Sequence, residues 1–318
     1  MDGERIVIVG AGAMGSLLAA RLALAEIPVA LYSRPSGHLT AVQRDGLVLE
    51  EEDGRRARIA LPATSHPAIL GMAWLVVVLV KTWQTAAALV PLRDLVPADA
   101  AVLTLQNGLG NPDAIRDALG PREVIVGVTT QAALRTEPGV VRHTGGGLTA
   151  LGREDGRGDA RVTRAVRALN EAGWPAVAVA DIERWVWRKL AVNAAINPLT
   201  ALAGVSNRVV AEEPRLRAQA AALATEVATV AAAHGHDLGG AEAVAALVEE
   251  VARATGDNRS SMLRDLERGE RTEIEAINGA VVAAGARLGI ATPANLLMTE
   301  LVRAREGANL RACLEALV

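Results

Sequence analysis

The first 25 residues constrain the fold more than any other stretch. Residues 5-RIVIVG-10 are a continuous apolar, largely β-branched run, as in a parallel strand buried on both faces. They lead into 10-GAGAMG-15 and then into the helical 16-SLLAARLALA-25. Strand, G-x-G-x-x-G turn and helix, in that order, form the context in which such a turn receives a pyrophosphate. Gly10 permits the tight turn, Gly12 lets backbone N–H groups reach the anion, and Gly15 lets helix and strand pack closely. The helix N-terminus adds a favourable dipole. Gly10, Ala11, Gly12, Ala13, Met14 and Gly15 are therefore the expected contacts of a dinucleotide; the alternative is a tight turn with no ligand.

The next strand is 27-IPVALYSR-34. Folds that bind NAD place an acidic residue at its end, on the ribose 2′-hydroxyl. Here Ser33 and Arg34 stand there. A guanidinium suits a 2′-phosphate by charge and bidentate geometry, which favours NADP(H) over NAD(H); the alternative is a solvated surface arginine. Further strands follow at α/β spacing, 73-AWLVVVLV-80, 100-AAVLTLQ-106 and 123-EVIVGVTT-130, with helical 84-QTAAALVPL-92 and 112-PDAIRDAL-119 between them. Ligands of doubly wound sheets lie beyond the carboxyl ends of strands. Lys81, after the first of these strands, and Asn107, after the second, are thus candidate cofactor or substrate contacts. An ordinary exposed lysine and a simple Asn-Gly turn are the alternatives. Residues 138–152 read as a closing antiparallel hairpin. His143 sits inside it without an acidic neighbour in sequence, which marks it as structural.

Beyond about residue 180 the strand signals stop and Ala-rich helical runs follow, at 183–196, 214–235, 241–256, 272–289 and 293–306. The expected fold class is an α/β N-terminal Rossmann-type dinucleotide-binding domain, residues 1–180, followed by an all-α C-terminal domain, residues 181–318. Active sites of such chains lie in the cleft between the two domains. The 318 residues give room for two domains, and 51% hydrophobic residues give room for a core. A net charge of -3 without a basic tract argues against nucleic acid as a partner. One cysteine, Cys313, excludes an internal disulfide and a cysteine-based metal cluster. The start MDGER lacks signal-peptide character, and 73-AWLVVVLV-80 is too short to span a bilayer, so a cytoplasmic protein without a membrane partner is expected. The C-terminal helices can bury against a second copy, as a homodimer, or within the domain.

The segment 185-WVWRKLAVNAAINPLT-200 places Lys189, Asn193 and Asn197 at intervals of four. At 100° per residue they fall within about 80° of one another. The remaining faces carry Trp185, Val186, Leu190, Ala191, Val192, Ala194 and Ile196, so the helix is expected to be buried. A buried amide without a partner costs roughly 1–3 kcal/mol, and a charge more, so this polar edge meets other protein groups or a wet cleft. Pro198 lacks an N–H, which predicts an end or kink at Asn197. Downstream, serines open a helix at 258-NRSSMLRDL-266, and Thr272 is placed to cap a helix with Glu273 in its first turn. Glu273 is then a carboxylate available to Lys189. A structural hydrogen-bond network between helices is the alternative.

The motifs GAGAMG, KTWQ, QNGLG, ERWVWRKLAVNAAINPLT, SSMLRDLERG and RTEIEAING, in that order, resemble those of the ketopantoate reductase (2-dehydropantoate 2-reductase) family nearly end to end. The resemblance implies roles for matched positions. Lys189 falls on the proton donor, Asn193, Asn197 and Asn207 on substrate-binding amides, and Ser261 on a serine that holds the substrate carboxylate. Glu273 falls on an acidic residue near cofactor ribose and substrate. Asn107 falls on an asparagine bridging the two, and Arg34, Lys81 and Ala133 fall on cofactor contacts. Departures are slight: an extra tryptophan before the lysine, and no Phe anywhere. The implied reaction is NADPH-dependent hydride transfer to a small 2-keto acid, ketopantoate, without a metal. The alternatives are another 2-keto acid reductase or D-2-hydroxy acid dehydrogenase on the same scaffold, and an NADPH-binding sensor without turnover.

Overall fold

The structure, a computed structural model, describes residues 5–315, without the side chains of residues 71–72 and 309–315. The opening MDGE and the side chain of Cys313 lie outside the described residues. The chain divides into two compact units. One comprises Met1–Gln106 with Asn111–Ile182, and the other Asn107–Gly110 with Glu183–Val318.

The first unit opens with β1 (Arg5–Val9), α1 (Ala13–Leu24), β2 (Val29–Tyr32), α2 (Gly37–Asp45), β3 (Leu47–Glu50), β4 (Arg56–Ile59) and β5 (Ala63–Thr64). It continues with β6 (Ala73–Val78), α3 (Thr85–Leu89), β7 (Ala101–Thr104), α4 (Asn111–Leu119), β8 (Val124–Thr129) and β9 (Ala132–Glu137). It closes with β10 (Val140–Gly145), β11 (Thr149–Gly152), α5 (Ala160–Glu171) and β12 (Ala176–Ala178). An eight-stranded sheet has the order β12-β11-β8-β7-β6-β1-β2-β5, parallel throughout except between β8 and β11. The chain runs outward from β1 on both sides, so the turn after β1 lies where strand order reverses, the usual ligand position of such sheets. β7 and β8 are buried at every residue, which is why their sequences do not alternate.

A second sheet, β4-β3-β10-β9, was not anticipated. It corrects the expected hairpin over 138–152. β10 pairs with β9 and β3, whereas β11 pairs with β8 and β12 in the main sheet. The glycines 145–147 carry the chain from one sheet to the other. A Cβ on Gly147 would stand 2.1 Å from Thr130 Oγ1, so no larger residue makes that passage. Leu47, Leu49 and Val141 of the small sheet share a core with Leu17, Leu18, Ala19 and Leu22 of α1, which is therefore apolar on nearly every face.

Two histidines brace this unit. His38 Nδ1 accepts from the Gly139 N–H (3.0 Å), so its Nε2–H donates to Ser16 Oγ (3.0 Å), one residue beyond the glycine turn. Burial lowers its pKa to about 4, which keeps it neutral. His143 Nδ1 lies 3.2 Å from Arg21 Nη2 and 3.3 Å from Glu51 Oε2, and Nε2 lies 3.0 Å from Gln131 Oε1. Its carboxylate neighbour is 92 residues away in sequence and invisible to a linear reading.

The second unit holds α6 (Ile182–Ala203), α7 (Asn207–Glu212), α8 (Pro214–Ala233), α9 (Gly240–Ala254) and α10 (Ser261–Glu267). A π-turn (Glu275–Gly279), α11 (Ala280–Arg287) and α12 (Pro293–Glu315) complete it. Its core is built from Ala, Val and Leu of these helices, with Trp187 stacked on His234 at 5.5 Å. No helix among the described residues is long and apolar enough to cross a membrane.

Candidate active site

In the first unit, β1 delivers the chain to Gly10 at φ +118°, where a Cβ would stand 2.9 Å from the Leu79 backbone. A Cβ on Gly15 would stand 1.9 Å from the Gly10 carbonyl oxygen, so helix and turn are in contact there. Gly12 differs. Its φ is -74°, and an added Cβ would find only the Leu79 carbonyl at 3.9 Å. The fold does not demand glycine at this position, whereas a phosphate approaching the backbone does. Gly12 also caps α1 without a side-chain bond, and no acidic residue occupies the first turn. The N–H groups that begin α1 are therefore left for an anion, and this loop fits a pyrophosphate.

The other first-unit candidates sit as follows. Arg34 is exposed just beyond β2 and has no ion pair among the described residues. Lys81 is half-buried and precedes the 3₁₀ turn Thr82–Gln84 after β6. Ala133 lies in β9 opposite His143. Gln106, at the end of β7, donates from Nε2 to Val80 O and Thr85 Oγ1, both at 2.9 Å, and so braces the turn that carries Lys81.

In the second unit α6 is continuous from Ile182 to Ala203, with Pro198 inside it. Of the expected end or kink at Asn197, the end does not occur. Pro198 deprives the Ala194 carbonyl of its intrahelical donor, and Asn278 Nδ2 donates to that carbonyl instead (2.9 Å). Beyond the proline, Thr200 Oγ1 lies 3.0 Å from the carbonyls of Ile196 and Asn197 and 2.7 Å from Ser260 Oγ. The helix is also less buried than its sequence implies, since Trp185 is 36% exposed.

Along the polar edge, Lys189 and Asn193 are half-buried and Asn197 is buried. Neither Asn193 nor Asn197 has a side-chain hydrogen bond among the described residues. The crowding of protein around Lys189 outweighs its residual exposure and lowers its pKa to about 8, while the Glu273 carboxylate acts in the opposite sense. Glu273 is itself buried and accepts from Asn107 Nδ2 at 3.3 Å. Lys189, Glu273 and Asn107 are thus linked by charge and hydrogen bonding, from positions far apart in sequence.

The turn that carries Glu273 departs from expectation. Thr272 Oγ1 accepts from Ile274 N–H at 3.2 Å, but a π-turn follows, closed by Gly279 N–H donating to Ile274 O at 3.0 Å. Within it the Ala276 carbonyl accepts from Leu109 N–H at 3.0 Å. Segment 107–110 therefore rests on the π-turn, with Gly108 at φ +82° and room for no Cβ, since one would stand 2.2 Å from Ala276 O. π-turns concentrate at functional sites, and this one sets the carboxylate beside the amide.

Asn207 opens α7. Its Nδ2 donates to Thr255 Oγ1 (2.9 Å), and its Oδ1 is buried without a partner. Ser261 opens α10 and is exposed, because the capping bond belongs to Ser260, whose Oγ accepts from Leu263 N–H at 3.1 Å. Ser260 in turn meets Thr200, one turn past Asn197. Sequence reasoning missed Asn278, Thr200 and Ser260. The only linear signal was Pro198, which requires a donor for the Ala194 carbonyl without naming it.

A glycine turn built for a pyrophosphate at a sheet's switch point, in a chain whose helical unit holds a lysine with a lowered pKa beside a buried carboxylate, defines a nicotinamide-dependent oxidoreductase. Residues 6–156 match the family described as Ketopantoate reductase PanE/ApbA, and residues 181–306 match its C-terminal domain. A 2-dehydropantoate 2-reductase of Halobacterium salinarum is 41% identical over 94% of this chain and 98% of its own. The crystal structure of a PanE/ApbA family ketopantoate reductase from Ralstonia eutropha JMP134 superimposes with a TM-score of 0.88 at 31% identity, covering 96% of this chain and 99% of that one. A D-mandelate dehydrogenase solved with NADH and anilino(oxo)acetate gives the same TM-score and coverage at 28% identity. The chain belongs to the ketopantoate reductase family.

Proposed function

We propose that this protein reduces 2-dehydropantoate (ketopantoate) to (R)-pantoate with NADPH, a step of pantothenate and coenzyme A biosynthesis. The observation that carries the reading is Lys189, held near a pKa of 8 and opposed by Glu273, on the same helix edge as two amides without side-chain partners. The bound reduced nicotinamide supplies the hydride to the 2-keto carbon. Lys189, as ammonium, stabilises the charge that grows on the carbonyl oxygen and donates the proton to it. Glu273 keeps Lys189 protonated and orients it or receives the substrate hydroxyl. Asn193 and Asn197 hold the substrate hydroxyl and carbonyl, Asn207 offers its unpartnered Oδ1, and Ser261 and Asn107 anchor the carboxylate. In the nucleotide domain Gly10 to Gly15 cradle the pyrophosphate, Lys81 and Ala133 line the cofactor's path, and Arg34 takes the 2′-phosphate.

The deciding experiment follows NADPH absorbance on adding ketopantoate and, separately, 2-ketoisovalerate. Ketopantoate alone offers a hydroxyl to the amides, so it is turned over with the higher kcat/KM. Equal values for both acids would favour a general 2-keto acid reductase, the reading that the mandelate dehydrogenase neighbour supports. No consumption of NADPH with either would leave a sensor.

Two variants test individual roles. Arg34→Ala removes a charge-assisted contact worth about 1.5–3 kcal/mol, so NADPH binding weakens roughly 10–100-fold while NADH binding barely changes. An equal effect on both cofactors removes the 2′-phosphate role. In the wild-type enzyme kcat/KM declines above about pH 8, as Lys189 loses its proton. The Glu273 carboxylate raises that pKa, so Glu273→Gln moves the decline to lower pH. A decline that stays in place or moves upward in Glu273→Gln contradicts the coupling.

A further inference from the structure

We infer that Asn278 is a positioning residue for the catalytic edge of α6. It stands in for the hydrogen bond that Pro198 removes and ties the helix of Lys189, Asn193 and Asn197 to the turn of Glu273. The inference rests on the proposed reductase reading.

Pro198 has no N–H, and its ring crowds the carbonyl four residues back, that of Ala194. Ala194 is fully buried, so its carbonyl has no water to turn to. Asn278 is also fully buried, and its Nδ2 donates at 2.9 Å to the Ala194 carbonyl and at 2.9 Å to Asn295 Oδ1. The orientation of the amide is fixed by its partners. A backbone carbonyl can only accept, so the nitrogen must face it. Asn295 is fixed in the same way, because its Nδ2 donates to Glu226 Oε2 (2.7 Å) and Leu223 O (3.3 Å), both acceptors. Glu226 further accepts from the backbone N–H of Ala294 (2.8 Å) and Asn295 (2.9 Å). A single-file series of donors and acceptors thus runs from the Glu226 carboxylate on α8, through α12 and the π-turn, to the gap in α6.

The ends of the Asn278 bond are what make it functional. Ala194 directly follows Asn193 and lies one turn before Asn197. Asn278 lies five residues after Glu273, and Ala276 between them accepts from the loop that presents Asn107. The Asn278 bond thus joins the backbone of α6 to this turn through a buried side chain. Without it the helix is free to bend at Pro198, and the lysine and two amides lose register with the carboxylate.

Asn278→Ala lowers kcat/KM for ketopantoate at least tenfold while the Kd for NADPH stays within about twofold of wild type. Pro198→Ala added to it restores a backbone N–H at position 198, which closes the Ala194 carbonyl from within the helix. The double variant recovers most of the lost kcat. Unchanged kcat/KM in Asn278→Ala overturns the inference. So does a loss that Pro198→Ala does not recover, because the amide then serves only to fill space beside Asn295. If Asn278→Ala does not fold, a folded and active double variant supports the inference and an unfolded one overturns it. A wild-type protein inert toward ketopantoate sinks the reductase reading instead. The replacement of one hydrogen bond by the other is then read from Tm: a fall in Asn278→Ala that Pro198→Ala reverses supports it, and no reversal overturns it.

Discussion

Lys189→Ala loses about 10²–10⁴-fold in kcat/KM and keeps its affinity for NADPH. The size follows from what the side chain does in the proposed reaction. Hydride addition leaves negative charge on an oxygen in a partly dehydrated setting, where a nearby ammonium is worth far more than in water. No neighbouring group substitutes for it. The two asparagines on the same edge donate weaker hydrogen bonds and carry no transferable proton, and Glu273 has the wrong charge. The lowered pKa, about 8, makes the proton easier to give up while leaving the group charged at neutral pH. Lys189→Arg is not a rescue, because a guanidinium holds its proton too tightly to act as an acid. Stopped-flow binding of NADPH and steady-state rates separate the two effects. Near-normal turnover in Lys189→Ala would remove the lysine from the mechanism.

Gly108→Ala destabilises the protein by roughly 3 kcal/mol, from the positive φ and from the clash, and lowers Tm by roughly 5 °C or more. The alanine Cβ would stand 2.2 Å from the Ala276 carbonyl oxygen and 2.7 Å from its carbon, both backbone atoms that cannot rotate away. Either the loop lifts and breaks the Leu109-to-Ala276 bond, or the π-turn moves. Both responses displace Asn107 from Glu273, so activity at permissive temperature falls as well. Gly110→Ala serves as the control: it shares the positive φ but meets no atom within 4 Å. Equal losses in the two variants would mean that backbone strain, not the contact with the π-turn, accounts for the effect.

The first unit was the more legible of the two. The strand, glycine turn and helix at its start are specified by local pattern, and the five long parallel strands follow from uninterrupted apolar runs. The small sheet was not legible, since its four strands come from two hairpins some 80 residues apart, and local pattern pairs β10 with β11, which belongs to the other sheet. In the second unit, spacing alone put Lys189, Asn193 and Asn197 on one edge. Periodicity could not show how a helix survives a proline, because the remedy is a side chain 80 residues later. Nor could it distinguish an α- from a π-turn at EAING, whose Ala276 carbonyl accepts from the backbone of a loop far away in sequence. Trp185 shows the limit of composition: an apolar residue on an apolar helix is still exposed where nothing covers it.

The assignment of Asn107–Gly110 to the helical unit has a practical consequence for dissecting the gene. Residues 183–318 look like an independent module, but a fragment cut at that point leaves behind the loop that supplies a donor to Ala276 and an amide to Glu273. Expressed alone it would lack the half-buried segment that packs on its π-turn. Limited proteolysis between the two halves is therefore expected to release a C-terminal piece that aggregates or stays bound to the N-terminal piece. A chimera that exchanges C-terminal halves between relatives would need residues 107–110 to travel with them.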